Sequence, residues 1–271
     1  MLTDLKTVLK DKKRAVAAFN VYNAETVLAA YQVAVQEERP VVFAFGESYM
    51  GLMPIGMIAK MVSYLADMTP IPMALHLDHA RSVESIQKAV NTGFTSVMFD
   101  GSGLSFDENI RQTKAVVDLV SPCGVSVEGE LGYLNPEDGS MGQTKATDPE
   151  QARQFAAETG IDALAIAIGN AHGLYRGVPR LDFSALEKIN ENVSLPLVLH
   201  GASGIPDDQL KRAISLGIQK INFNTEIALG AVLAMRKQIE KEGDSLRYEK
   251  VIENTIQNIQ EIMRQIVEKI S

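Results

Sequence analysis

The chain has four histidines, and three of them stand at or just beyond the ends of apolar, strand-like runs. His76-Leu77-Asp78-His79 closes the stretch Ile71 to Leu77, His172 follows the run Asp162–Ile168, and His200 ends the run that starts at Leu195. Three imidazoles delivered from three strand ends can hold one divalent metal and leave a coordination position open, which is the arrangement of a catalytic rather than a structural zinc site. Asp78, beside His79, is placed for proton transfer next to such a metal. A lone histidine is more often a hydrogen-bonded core residue, so the inference rests on the three together. His76 faces the same side of its strand as Asp78, and it reads as a supporting or barrel-interior group rather than a ligand.

The elements that must position these groups follow from an alternation that recurs eight times, a short apolar run and then a stretch of helical period. The predicted strands are Ala15–Val21, Pro40–Gly46, Pro72–Asp78, Thr95–Asp100, Gly124–Glu130, Asp162–Ile168, Leu195–His200 and Gly217–Phe223. Eight such units in 271 residues point to an α/β fold, a (β/α)8 TIM barrel, as a single domain over 1–271 with a C-terminal helical extension. A doubly wound open sheet competes, but it calls for a phosphate fingerprint after the first strand, which Asn20-Val21-Tyr22-Asn23 is not. The barrel reading places Asn20, Asn23, Asp78, His79, Asp100, Glu128, Glu130, His172, His200, Asn222 and Asn224 at strand C-termini, the catalytic end of such folds. A polar group buried there without a partner costs about 1–3 kcal/mol, so this many in one ring argues for a shared site.

Composition bounds the partners. The net charge of −8, with basic residues scattered, leaves no footprint for nucleic acid or an anionic membrane, so any phosphate recognition is local. The single Cys123 cannot form an internal disulfide and reads as buried and inert. No apolar run reaches membrane-span length and the N-terminus lacks a signal-peptide pattern, so the expected compartment is the cytoplasm. Ile252, Ile256, Ile259, Met263, Ile266 and Ile270 recur at helical spacing, as on a helix packed against its own barrel.

Five motifs, in order, carry a family resemblance: His76-Leu77-Asp78-His79, Glu128-Gly129-Glu130-Leu131-Gly132, Gly169 to Tyr175, His200-Gly201-Ala202-Ser203-Gly204, and Lys220 to Glu226. The series resembles that of the class II, metal-dependent fructose-bisphosphate and tagatose-bisphosphate aldolases, from Asn20 to about Glu226. The resemblance implies a zinc enzyme that reversibly cleaves a ketose phosphate into dihydroxyacetone phosphate and an aldehyde such as glyceraldehyde 3-phosphate, assembled as a homodimer or homotetramer. It implies that His79, His172 and His200 hold the metal and that Asp78 handles the C4 hydroxyl proton. Asp100 and Glu128 would orient the histidines or receive the metal in an outer position, with a second divalent or a monovalent cation as further cofactors. Substrate contacts would come from Asn20, Gly173, Gly201, Ser203, Asn222, Asn224 and Thr225. The glycines let backbone N–H groups approach phosphate, and Asn224-Thr225 opens a helix whose N-terminus attracts anions.

The chain also departs from the family pattern. Gly101 stands where an alanine is common between the acid and the serine. The polar segment Tyr133 to Thr147 has a lid loop's length. Within it Glu137 is the nearest equivalent of the family's proton-exchanging glutamate, with Asp138 as its rival. Aligned on Tyr248, Leu246 takes the place of an arginine that holds a C6 phosphate, and Arg247 lies one residue later. Either selection for the C6 phosphate is weakened or a small loop shift lets Arg247 serve. Asn224 resembles the fructose type and the Gly169 to Gly173 motif the tagatose type, which leaves the sugar open. Two other readings compete: a Schiff-base aldolase using Lys220, and a non-catalytic stabilising subunit.

Overall fold

The protein is described by a computed structural model that covers residues 1–12, 14–133, 145–175 and 177–271. After a short helix, α1 (Leu5–Val8), strands and helices alternate: β1 (Val16–Asn20), α2 (Ala24–Gln36), β2 (Val41–Gly46), α3 (Ile55–Ala66), β3 (Met73–Ala80), α4 (Val83–Thr92), β4 (Ser96–Phe99) and α5 (Phe106–Val120). The series continues with β5 (Ser126–Leu131), α6 (Pro149–Thr159), β6 (Ala163–Ile166), α7 (Phe183–Asn192), β7 (Leu197–Leu199), α8 (Asp207–Ser215), β8 (Ile218–Phe223), α9 (Thr225–Glu242) and α10 (Tyr248–Lys269). The eight strands pair in sequence order and β1 pairs with β8, all parallel, so the sheet closes into the expected TIM barrel.

The two-residue period of the strands sorts the barrel into layers. Phe19, Phe43, Leu75, Val97, Val127, Leu164 and Ile221 face outward into the large core shared with the helices. The intervening positions face the barrel axis. There Ala18, Val42, Ala44, Ala74, Met98, Ala163, Ala165 and Val198 form a second apolar cluster, which Leu5, Val8 and Leu9 of the α1 region join. Further along the same strands the inward residues turn polar, as in Ala74, His76, Asp78 on β3 and Ser126, Glu128, Glu130 on β5, all of them buried. The functional layer is thus built on an apolar floor.

Two local expectations need correction. Cys123 is exposed on a tight turn, Ser121–Cys123, because Pro122 and the left-handed Gly124 carry the chain outward before β5. Asn23 serves as the N-cap of α2 in a capping box with Thr26, so its side chain has a structural task. The isoleucine stripe of α10 packs against α2 and α9, burying Ile259, Met263, Ile266 and Ile270. Among the described residues, no helix is long and apolar enough to cross a membrane.

Candidate active site

In an ordinary strand Asp78 and His79 would point to opposite faces. Here the register between β3 and β4 slips after Leu77, and His79 adopts a left-handed φ of 49°. This irregularity turns His79 into the pocket that Asp78 already faces, and its strained backbone is the kind found at functional sites. His79, His172 and His200 converge, with ring centroids 4.7 to 5.9 Å apart and ligating atoms within 4.8 Å of one another.

The tautomers are set by carboxylates behind the rings. His200 Nε2 lies 2.8 Å from Glu128 Oε1, so it carries the hydrogen and Nδ1 presents its lone pair. His79 Nδ1 lies 3.4 Å from Asp100 Oδ2 and 3.6 Å from Glu130 Oε2, which leaves its Nε2 facing His200 Nδ1 at 3.0 Å. Two lone pairs at that separation repel unless a cation, a proton or a metal, lies between them. The charge around them makes the same demand. Burial disfavours charge on His79, yet Asp78, Asp100 and Glu130 crowd it and raise its pKa to about 10. Burial lowers the pKa of His200. A soft-to-borderline divalent ion such as zinc fits this nitrogen-rich, carboxylate-backed set.

Beneath the histidines, Glu128 is wholly buried and has both oxygens engaged, one by His200 and the other by Lys220 Nζ at 2.8 Å. Burial pushes its carboxyl up, but Lys220 and His200 outweigh it and hold it below the usual carboxylate range. Of the two roles the resemblance implies for Glu128, orienting a histidine is the one its contacts support. The acid that closes on His79 beside Asp100 is Glu130, which the sequence places at the same barrel end without assigning it a role. Burial pushes Glu130 up to about 8. His76, fully buried, pairs through Nδ1 with Ser96 Oγ at 2.8 Å, in the barrel-interior role expected of it. Burial and the Lys220 charge lower its pKa to about 3, so it stays neutral.

Asp78 is held from two sides. Asn20 Nδ2 donates to Oδ2 at 3.0 Å and Asn222 Nδ2 to Oδ1 at 3.2 Å. Burial opposes its ionisation, but the imidazoles of His79 and His200 and the Lys220 ammonium keep it far below the usual carboxylate range. It is a fixed carboxylate, 3% exposed, at the floor of a cavity of about 490 Å³.

Gly201, Ser203, Asn224 and Thr225 line one side of that cavity. Gly201 has a φ of 64°, and a Cβ there would meet the Ala171 carbonyl oxygen at 2.2 Å, so only glycine lets the two loops approach. The Asn224 side chain donates to Tyr49 Oη and makes no cap on α9, while Glu226 N of that helix's first turn donates to Ser203 Oγ at 3.4 Å. Gly173, also left-handed at φ 79°, lies in the adjoining loop after His172.

The site also has residues that sequence reasoning did not single out. Glu47, Ser48 and Tyr49 after β2, Arg81 after β3, and Ser102 after β4 all line the cavity. Arg247 does not: it sits exposed at the start of α10, paired with Glu249. Glu137 and Asp138 lie outside the described residues, although Tyr133 and Lys145 on either side of that segment pair by backbone hydrogen bonds.

Residues 2–271 match the family model described as fructose-bisphosphate aldolase class-II. The chain belongs to that family. It is therefore an aldolase, a carbon–carbon lyase. A crystal structure of the YdjI aldolase from Escherichia coli K12 superposes with a TM-score of 0.89 at 36% identity, covering 100% of this chain and 98% of that one. The 6-phospho-5-dehydro-2-deoxy-D-gluconate aldolase of Bacillus subtilis (strain 168) is 40% identical over 269 residues, 96% of this chain and 92% of that protein. The D-tagatose-1,6-bisphosphate aldolase subunit GatY of Klebsiella oxytoca is 40% identical over 235 residues, 85% and 83% of the two chains.

Proposed function

We propose that this aldolase is a zinc enzyme that cleaves a ketose 1-phosphate, with or without a second phosphate at its far end, into dihydroxyacetone phosphate and an aldehyde. The observation that carries the reading is the convergence of His79, His172 and His200 above the Asp78 carboxylate, with a carboxylate behind both His79 and His200. Bound by the three imidazoles, the metal supplies electrostatic stabilisation for the negative charge left on C3 when the C3–C4 bond breaks.

The protein's own groups do the rest. Asp78 accepts the C4 hydroxyl proton as the new carbonyl forms and returns it in condensation. Asn20 and Asn222 hold its two oxygens so that the accepting lone pair faces the substrate. Gly201, Ser203 and the start of α9 receive the C1 phosphate, where backbone N–H groups and the helix dipole favour an anion. Proton exchange at C1 falls to the segment holding Glu137 and Asp138, outside the described residues. Lys220, buried beneath His200 and paired with Glu128, has no access to the substrate as a Schiff-base nucleophile.

The relatives' names set the breadth of the test: one acts on a phosphorylated deoxygluconate, the other is a subunit of a tagatose-bisphosphate enzyme. A retro-aldol assay across these substrates, fructose bisphosphate and simple ketose 1-phosphates is expected to yield dihydroxyacetone phosphate from every substrate turned over. Activity is expected to vanish on chelation and return with zinc. Full activity in metal-free protein, or covalent trapping of substrate by borohydride, would defeat the proposal.

A further inference from the structure

Two groups of side chains among the described residues are arranged to hold a metal, and they share His79. The first is the histidine trio. The second is His79, Asp100 and Glu130, and its carboxylates are both buried. Glu130 Oε2 has no hydrogen-bond partner although it is buried, so this group too calls for a cation.

Asp100 already has a cation beside it. Arg81 donates from Nε and Nη2 to Asp100 Oδ2 at 3.2 and 3.0 Å. The other oxygen, Oδ1, accepts from Ser102 N at 3.2 Å and Ser102 Oγ at 2.5 Å. With His79 Nδ1 at 3.4 Å from the same Oδ2, five donors surround this carboxylate, which offers about four lone-pair sites and so has none to spare for a further cation. The arginine is held in place from its main chain, because Arg81 N donates to Glu47 Oε2 and the next residue, Ser82, caps α4 while its hydroxyl donates to Glu47 Oε1. The guanidinium keeps its charge at any physiological pH.

We propose that the Arg81 guanidinium, by holding Asp100, keeps that carboxylate from joining Glu130 around an outer cation, so that this chain holds one divalent metal, at the histidine trio, and not two. Arg81 is then a positioning residue. It satisfies Asp100 without drawing it away from His79, and it leaves the metal at the trio without a competing outer position. The inference rests on the reading of the trio as a metal site.

The test is metal stoichiometry, with manganese as the probe of the outer position because two carboxylates and water suit a hard ion. Full-length protein is equilibrated with zinc, its bound zinc is counted by elemental analysis, and manganese is then titrated in by electron paramagnetic resonance. Wild type is expected to hold one zinc and to take up no manganese. Arg81→Ala, a change at a largely exposed side chain, is expected to keep its zinc and bind manganese at least roughly tenfold more tightly than wild type. Arg81→Ala/Glu130→Gln is expected to lose that manganese site and retain the zinc. Two tightly held metals in wild type, unchanged manganese binding in Arg81→Ala, or a manganese site that survives the double change would each overturn the proposal. Wild type with no zinc at all would instead sink the reading of the histidine trio.

Discussion

Asp78 is the residue whose surroundings most restrict its chemistry. Two amide donors fix its oxygens, and nearby cations keep it ionised. Asp78→Asn preserves shape but removes the proton acceptor. It should lower kcat by about 10²- to 10⁴-fold while zinc content and binding of dihydroxyacetone phosphate stay near wild type. Metal analysis with single-turnover kinetics checks this, and loss of zinc along with activity would show that Asp78 supports the metal instead. The histidines were legible because each closes an apolar run, and Asp78 because it adjoins one of them. Glu130 was not. Glu128 and Glu130 share one face of β5, so the two-residue period sends both inward and cannot tell the lower layer from the upper. That depends on the stagger of the strands around the barrel, which no single strand encodes. Arg81 escaped notice for a different reason: its role depends on Asp100 of the neighbouring strand.

At the scale of elements, the eightfold alternation gave the barrel, and the local departures from ideal strands gave the site. The slip after Leu77 could not be read from β3 alone, because it is a relation between two strands. Gly101 shows how a sequence departure acquires its cause only in the fold. A Cβ at Gly101 would meet Asn109 Oδ1 at 2.2 Å, and Asn109 is held by donating to the Glu130 carbonyl and accepting from Thr113. The buried asparagine fills the space an alanine methyl would need. Gly101→Ala should therefore cost about 1–3 kcal/mol of stability through overpacking. Adding Asn109→Ala should recover part of that strain, since it removes the clashing atom, though it forfeits the bond to the Glu130 carbonyl. Urea denaturation of the single and double variants measures both, and a neutral Gly101→Ala would refute this account of the glycine. Asp78→Asn and Gly101→Ala also separate cleanly, one predicted to change rate at constant stability and the other mainly stability.

At the scale of the whole molecule, the mouth of the barrel concentrates four buried carboxylates, Asp78, Asp100, Glu128 and Glu130, against three imidazoles, Lys220 and Arg81. A metal bound there by the folded chain alone must stabilise it by mass action, by about 4 kcal/mol at a free concentration a thousandfold above its dissociation constant. With about 2–4 °C of melting temperature per kcal/mol for chains of this general size, chelation should lower the transition by roughly ten degrees. In His172→Ala the chelator should have little further effect. Differential scanning fluorimetry decides the matter, and an unchanged transition on chelation would count against a tightly held metal.

The far end of the substrate is where the whole molecule matters most. Arg247, the residue nearest in sequence to a C6-phosphate arginine, lies exposed before α10, paired with Glu249 and away from the cavity of its own chain. The cavity wall formed by Glu47, Ser48 and Arg81 carries one arginine, and that arginine is already engaged with Asp100. No residue of the described chain therefore presents a free guanidinium to a terminal phosphate within its own cavity. Selection at the aldehyde end should be loose in consequence, while the phosphate at C1 stays strictly required. Arg247→Ala should change kcat/KM by less than about fivefold for substrates with and without a C6 phosphate, because an exposed ion pair of this kind is worth at most about 1 kcal/mol. A loss of a hundredfold or more confined to bisphosphates would mean that Arg247 reaches a neighbouring subunit's cavity in a homo-oligomer. Bidentate arginine–phosphate pairing across that contact would then set the specificity.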